Sequence, residues 1–355
     1  MLKNICVVVC TKNRPWSLYL TIESILRNKL LPKKIVIIDS TNKITQVKID
    51  EYLRNIISEA GKKNIYVVYH HDETLSLTQA RNYALEYCKD CNIITYLDDD
   101  IVLHPEYFYK ILYAFDNDKI HGAQGLIINL LVDNCNKKGK ILFRIIKALA
   151  GTLIPVFPYH ISRPLVNTFL RNKYPIFPNF KARIIISEWL SGSNMNYKSE
   201  IFYEHGFRFD ANLLAFGLGE DLDFSYRLYK AGFKLAMVPE AFLLHKTTII
   251  NEERECIDPS TIVMAFGYRL YLLKKHYSKS SNSSVLIRFY IYSLLYIFLF
   301  ISILFKNIKV LKIYVKCFRI VNKIRQDILN LNITKLNGII SRLKRFRVCY
   351  DEEKN

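Results

Sequence analysis

Short apolar runs alternate with amphipathic stretches over the first 130 residues. Residues 5–10 (ICVVVC), 35–38, 65–69, 93–97 and about 123–130 have the length and β-branched content of buried strands. Between them apolar residues recur at helical spacing. Leu18, Ile22, Ile25 and Leu26 mark a first helix, residues 48–60 a second with Gly61 as its stop, 76–88 a third and 105–115 a fourth. Strands alternating with helices at this interval predict an α/β fold whose central sheet is mostly parallel, with helices on both faces.

Residues 134–187 break this rhythm. They are basic, aromatic and rich in proline (Pro155, Pro158, Pro164, Pro175, Pro178), with Ile141, Leu142, Ile145, Ile146 and Leu149 spaced for a helix face. The stretch reads as an insertion that binds an acceptor or touches a membrane, or as an elaboration of the packing. Further on, a helix bearing Arg269 is expected over 259–277 and a polar Ser and Asn linker over 278–284. Residues 289–305 are uncharged throughout, near the short limit for a bilayer span, so they either cross a membrane or lie in its interface. The expected organisation is one domain over 1–277 and an apolar, basic, helical tail over 278–355.

Composition narrows the picture. Of the 355 residues 50% are hydrophobic, with 24 Tyr and 21 Phe, enough for a sizeable core and unlike a disordered chain. The net charge of +19 suits nucleic acid, anionic lipid or phosphorylated ligands. Its location discriminates among them: from Lys306 onward come Lys309, Lys312, Lys316, Arg319, Lys323, Arg325, Lys335, Arg342, Lys344, Arg345 and Arg347, opposed before the terminal acids by Asp327 alone. This basic segment directly follows the most apolar run, an order that favours a membrane surface over nucleic acid. Eight scattered cysteines, and an N-terminus that opens into a strand rather than a leader, point to the reducing cytoplasm. Cys88 and Cys91 form a C-x-x-C without a second pair, so they read as ordinary cysteines rather than a zinc or redox site.

The candidate chemistry gathers at strand ends. The fourth strand stops at Asp98, Asp99 and Asp100, at the sheet edge where open α/β folds place their ligands. Adjacent like charges repel. A hard divalent cation, Mg²⁺ or Mn²⁺, relieves the repulsion by taking carboxylate oxygens and filling its shell with water and substrate phosphates. An isolated acidic triplet is equally a solvated turn, so its meaning depends on its neighbours. Asp39, just past the second strand, is placed to accept hydrogen bonds from a ribose or a base. Arg81 and Asn82 lie on the third helix facing the same edge, where a surface arginine would fit as well. In WLSGSNMNY, Gly192 stands between two serines as a flexible approach point for a ligand. Glu220 and Asp221 follow Gly217 and Gly219 and open a helix, where acids also serve as ordinary dipole partners. No G-x-G-x-x-G follows the first strand and no G-x-x-x-x-G-K-[ST] occurs, which counts against dinucleotide cofactors and P-loop chemistry.

Taken together, VVVCTKNRP, IVIIDS, LTQARNYAL, YLDDD, WLSGSNMNY and GLGEDLDFSYRLYKAGF resemble, in order and approximate spacing, the motifs of family 2 glycosyltransferases with the GT-A fold. The resemblance covers about residues 4–277 apart from the insertion, and six motifs in one order are far more specific than any one of them. It implies a nucleotide-sugar donor, most often a UDP-sugar, lying across the first half of the sheet, and transfer with inversion. By the same resemblance Thr11 and Arg14 line the nucleotide pocket, Asp39 reads base or ribose, and Arg81 lies near the diphosphate. The D-x-D element corresponds to Asp98 and Asp100, with Asp98 toward the ribose, Asp100 on the metal and Asp99 a third carboxylate able to share this work. Trp189, Gly192 and Glu220 are implied on the acceptor side, Asp221 as catalytic base, and His245 as a further metal or diphosphate ligand or a structural histidine. A helix N-terminus weakens a carboxylate as a base, an effect that burial beneath an acceptor would offset.

The expectation is therefore a GT-A type α/β domain acting as a metal-dependent, inverting glycosyltransferase at the cytoplasmic face of the cell membrane. Its acceptor would be a lipid-linked or cell-surface glycan, with no nucleic-acid partner. The alternatives are a non-catalytic membrane-associated nucleotide-sugar-binding module and a sugar-1-phosphate nucleotidyltransferase. The latter would want a Gly-rich, Arg-containing loop where TKNRP stands.

Overall fold

Four β-branched runs become adjacent parallel strands: β1 (Ile5–Thr11), β2 (Lys34–Asp39), β3 (Tyr66–His71) and β4 (Ile93–Asp98), in the spatial order β3-β2-β1-β4. The computed structural model describes residues 4–129, 184–187, 189–214, 218–245, 256–277, 281–303, 308–343 and 348–349. The expected insertion over 134–187 lies outside them except for 184–187. The chain divides into two compact units, one of Met1–Leu131 with Leu165–Ile249 and one of Val132–Pro164 with Ile250–Asn355.

In the first unit the sheet continues through β8 (Asn194–Lys198), β6 (Ile120–Asn129), β9 (Lys234–His245) and β5 (Ile101–Leu103), with β7 (Ile185–Ser187) also on β9. The sheet is thus mixed, which corrects the mostly parallel expectation. β8 runs antiparallel to both β4 and β6, and β9 is parallel to β6 but antiparallel to β5 and β7. The physical reason lies in β8. Its alternate residues Asn194 and Asn196 are fully buried on one face, while Met195 and Tyr197 fill the other. Thr95 donates to Asn196 (2.7 Å), Asn196 donates to Tyr107 and to the Ala123 carbonyl (3.0 Å each), and the Gly125 N–H donates to Asn194 (2.6 Å). Burying two amides is tolerable because these partners compensate both Asn196 and the Asn194 side-chain oxygen, while the Asn194 side-chain nitrogen is buried with no hydrogen-bond partner among the described residues.

Helices cover both faces. On one side α1 (Pro15–Leu26), α2 (Lys43–Lys62) and α4 (Tyr107–Ala114) enclose a core that includes Val7, Leu18, Ile37, Leu97 and Phe108. On the other, α3 (Leu77–Tyr83), the short α5 (Glu200–Tyr203) and α6 (Glu220–Lys230) pack over Val8, Tyr96, Tyr197, Phe202 and Phe224. The helix α2 runs through Gly61 rather than stopping there, and the chain turns at Asn64, whose φ of +56° lies in the left-handed region. The third helix is shorter than its apolar pattern. Ser76 and Gln79 form a capping box at its start, and a 3-10 turn over Ala84–Tyr87 replaces its last turn. The edge strand β5 borrows hydroxyls from α1: Thr21 exchanges bonds with the Ile101 backbone, and Ser24 accepts from Leu103 N–H.

Cys6 of β1 is disulfide-bonded to Cys91, with Cα atoms 5.8 Å apart. This corrects the reading of Cys88 and Cys91 as two ordinary thiols. Cys88 stays free and buried, and burial pushes its thiol up to about 12.

The second unit is helical, with α7 (Pro259–His276), α8 (Asn282–Ile303), α9 (Ile308–Lys323), α10 (Arg325–Leu329) and α11 (Thr334–Leu343), plus a strand pair of β10 (Cys256–Ile257) and β11 (Val348–Cys349). Phe266 of α7 meets Phe318 of α9, and Gly267 lets Leu336 of α11 approach closely. The expected polar linker is already helical from Asn282, with Ser281 accepting from Ser284 N–H. Among the described residues no helix is long and apolar enough to cross a membrane.

Gly125 sits at a register shift between β6 and β9, where a Cβ would lie 1.8 Å from the Ala241 carbonyl oxygen and 2.7 Å from the Tyr107 ring. Neither backbone nor buried ring can yield cheaply. Gly125→Ala is expected to cost about 3 kcal/mol, the upper range for overpacking, measured as a lower urea midpoint with unchanged slope; an unchanged midpoint would contradict this packing.

Candidate active site

Register aligns the chemistry along one sheet edge. Thr11 pairs with Asp39, Asp39 with His71, and Cys10 with Asp98, so the C-terminal ends of four parallel strands stop together. β9 then approaches from the far side, where its pairing with β5 sets His245 opposite Ile101, one residue beyond Asp100. Parallel strands and one antiparallel strand thus supply a single cluster.

The three aspartates separate into two environments. Asp98, Asp100 and His245 each offer a ligand atom, and these atoms lie within 4.8 Å of one another. His245 Nε2 is 3.3 Å from Asp100 and 3.8 Å from Asp98. Asp99 turns away, accepting from Thr11 (2.6 Å) and Arg14 (3.1 Å), while the same Arg14 nitrogen also donates to Asp100 (3.2 Å). Burial pushes Asp99 up to about 6 despite Arg14 and Thr11. Burial likewise raises Asp100, opposed by His245. At Asp98 burial is outweighed by the bond to His245 and by Arg81, and its carboxyl is lowered. At His245 burial, which disfavours the imidazolium, is outweighed by Asp98 and Asp100, and the ring is raised. Two carboxylates and an imidazole at this spacing fit a divalent cation that accepts oxygen and nitrogen ligands. Asp98 joins this set, whereas the resemblance implied that it faces the ribose.

Arg81 connects this cluster to the second acidic pair. Only 2% exposed, it donates to Glu220, to the Gly192 carbonyl (2.9 Å) and, at 3.5 Å, to Asp98. Gly192 closes the link, since its N–H donates to Asp221 Oδ2 at 3.1 Å. A Cβ on Gly192 would stand 2.9 Å from Glu220 Oε1 and 3.4 Å from Arg81 Nη2, so the close approach requires glycine. The helix α6 begins at Gly219, whose φ of +88° turns the chain into it and presents Glu220 and Asp221 in its first turn. Asp221 is partly exposed and also accepts from its neighbour Leu222 N–H at 2.8 Å. Glu220 is buried, with Oε2 lacking a hydrogen-bond partner. Burial and the adjacent Asp221 hold its carboxyl well above the ordinary range, against the pull of Arg81.

The remaining residues singled out from sequence frame these groups. Asp39 is fully buried and already accepts from Thr41 N–H and Tyr69 OH, both at 2.8 Å. Trp189 precedes the Gly192 loop, its carbonyl accepting from Ser187 at 2.7 Å. Sequence reasoning did not find Tyr69, nor Gln124, whose side chain accepts from Ser191 N–H at 2.6 Å and steadies that loop. It also missed Asn13, with φ of +58°, which exchanges bonds with Thr41 and Asn42. The one available signal was Asn13 between Lys12 and Arg14, a residue type that tolerates the left-handed region.

Two family models match the chain: Glycosyl transferase family 2 over residues 6–156 and Glycosyl transferase family group 2 over residues 93–256. A comparison with curated proteins found no match. Among solved structures the chain is similar to residues 1–349 of S. aureus TarS, at 13% identity and a TM-score of 0.50, covering 96% of this chain and 87% of that one. It is also similar to the mannosyltransferase PcManGT from Pyrobaculum calidifontis in complex with GDP-Man and Mn²⁺, at 10% identity and a TM-score of 0.51, covering 96% and 84%. GalNAc-T7 with UDP, GalNAc and Mn²⁺ matches at 20% identity and a TM-score of 0.47, and this chain spans 44% of its length. The first two likenesses place the first unit in an α/β, GT-A-like fold with a mixed sheet.

Because Glu220 is raised in the fold, the native chain holds a proton that the unfolded chain releases near the usual 4.5. Its contribution to stability is complete below that unfolded value and is lost as pH rises through the folded one. Urea titrations across neutral pH are expected to show stability declining with rising pH. Glu220→Gln, which keeps the shape but does not titrate, should flatten the decline; identical slopes in both chains would place the proton elsewhere.

Proposed function

We propose that this chain, which two glycosyl transferase family models match, moves a sugar with inversion from a nucleotide-sugar donor, in this reading a UDP-sugar, onto a lipid-linked or cell-surface glycan.

 The acceptor is taken at the cytoplasmic face of the cell membrane, a membrane location supported by the basic segment from Lys306 onward that directly follows the apolar run over 289–305. The observation that carries this reading is the unbroken path of contacts from Asp100 and His245 through Asp98 and Arg81 to Gly192 and Asp221. Acids from distant parts of the chain thereby border one place.

Each group has a task in the reaction. The acceptor hydroxyl oxygen attacks the anomeric carbon from the side opposite the nucleotide. The bond from that carbon to the diphosphate oxygen breaks as the new glycosidic bond forms. Asp221, partly exposed and held by the Gly192 N–H, takes the hydroxyl proton as general base. Thr11, Arg14 and Asp39 border the donor, and Trp189 with the Gly192 loop borders the acceptor. Arg81 and buried Glu220 position that loop. Asp98, Asp100 and His245 would hold a Mg²⁺ or Mn²⁺ ion, which would supply Lewis-acid stabilisation for the departing diphosphate.

Incubating the purified chain with a panel of sugar nucleotides and Mn²⁺ tests the reading, and absence of both binding and donor hydrolysis across the panel would reject it. Asp221→Asn is expected to keep nucleotide binding while transfer falls on the order of 10²- to 10⁴-fold. Asp100→Ala is expected to lose metal-dependent donor binding, read by calorimetry with and without Mn²⁺. Identical losses in the two variants would overturn the division of roles.

A further inference from the structure

Two rows of exposed side chains run along neighbouring helices of the second unit. On α8, Val285, Phe289 and Ser293 are fully buried, whereas Ile287, Ile291 and Leu294 are 59%, 46% and 64% exposed. Their spacing of four and three residues sets them in one row on the face opposite the buried one. On α9, Tyr314, Cys317 and Val321 are buried, and Lys312, Lys316, Arg319 and Lys323 are exposed in a row on the opposite side. The helices pack against each other, with Phe289 stacked on Phe318 at 5.8 Å and Tyr290 donating to Asn322 at 2.6 Å.

Each row is unfavourable in water by itself. Single exposed apolar residues are ordinary, but a row of three aliphatic side chains along one helix keeps apolar surface in water. Cations three and four residues apart repel one another. No carboxylate occurs between residues 281 and 323, and the next one, Asp327, is paired with Lys335 at 3.0 Å. A polynucleotide would neutralise the cations and leave the aliphatic row wet. An anionic bilayer surface satisfies both, taking the aliphatic side chains into its acyl boundary and the cations onto headgroup phosphates.

We propose that α8 and α9 form a docking face for an anionic lipid surface, with Ile287, Ile291 and Leu294 entering the interface and Lys312, Lys316, Arg319 and Lys323 on the headgroups. This deepens the membrane location proposed above by naming the face and its lipid chemistry. The helices lie along the surface, and the cationic row selects its charge.

The full chain, without donor or acceptor, is mixed with vesicles of phosphatidylcholine alone or with phosphatidylglycerol added, and the bound fraction is measured by sedimentation. Strong binding to the anionic vesicles, weakened by salt, and little to the neutral ones is expected. Replacing Lys312, Lys316, Arg319 and Lys323 together by Gln should weaken binding roughly a hundred-fold or more. Ile287→Ser, Ile291→Ser and Leu294→Ser together should remove the binding that survives high salt. Donor hydrolysis, assayed separately, should be unchanged in both variants, so a failure of docking is distinguishable from a failure of the proposed reaction. Equal binding to both vesicle types, no binding to either, or unaltered binding by the variants would overturn the proposal. Tighter binding to a polynucleotide than to anionic vesicles would also overturn it.

Discussion

Burial of the Arg81 guanidinium is the constraint on which the site depends. A cation out of water is tolerated only when its donors are matched, and here the matching groups come from three separate segments: Glu220 on α6, the Gly192 carbonyl on the loop before β8, and Asp98 at the end of β4. Each of those groups is in turn costly without Arg81. Its planar fork can hold a carboxylate and a carbonyl together, which a lysine ammonium could not do with the same geometry. The aromatic face of Phe209, 5.4 Å from the guanidinium carbon, completes the enclosure.

The same economy governs the opposite end of the site. Asp98 and Asp100 point into one cluster while Asp99, between them, points to Thr11 and Arg14. Alternation at a strand end separates adjacent residues in this way, so the middle aspartate secures the loop after β1 and the outer two remain available. His245 reaches them because the long strand β9 is irregular. Its pairing with β6 jumps between Val238 and Phe242, absorbing Pro239, which could not donate a ladder bond in a regular strand.

Strands buried on both faces were readable because continuous β-branched runs leave little else for Val7, Ile37 or Ile94 to do, and the Asp98 and Asp100 pair was readable from its place after such a run. β8 was not, because Asn194 and Asn196 look like loop residues until Tyr107 and the β6 backbone are seen to bond to them. β5, three residues long, carries too little pattern to be told from the turn around it. Arg81 was legible as a residue facing the right edge, but its burial depends on Glu220, 139 residues away, and no local pattern encodes such a separation. Tyr69 reads as one more strand aromatic, and only its hydroxyl contact with Asp39 distinguishes it.

The buried amides of β8 carry a consequence for how the chain finds its native pairing. A slip of one residue would swing Met195 and Tyr197 toward Tyr107 and rotate both asparagines into the aromatic layer around Phe202 and Phe224. The displaced amides would lose their partners together, and the Ala123 carbonyl and Gly125 N–H would be orphaned with them. Two polar side chains, weak contributors to stability in their own right, thereby index the strand to its neighbours and penalise misaligned sheets.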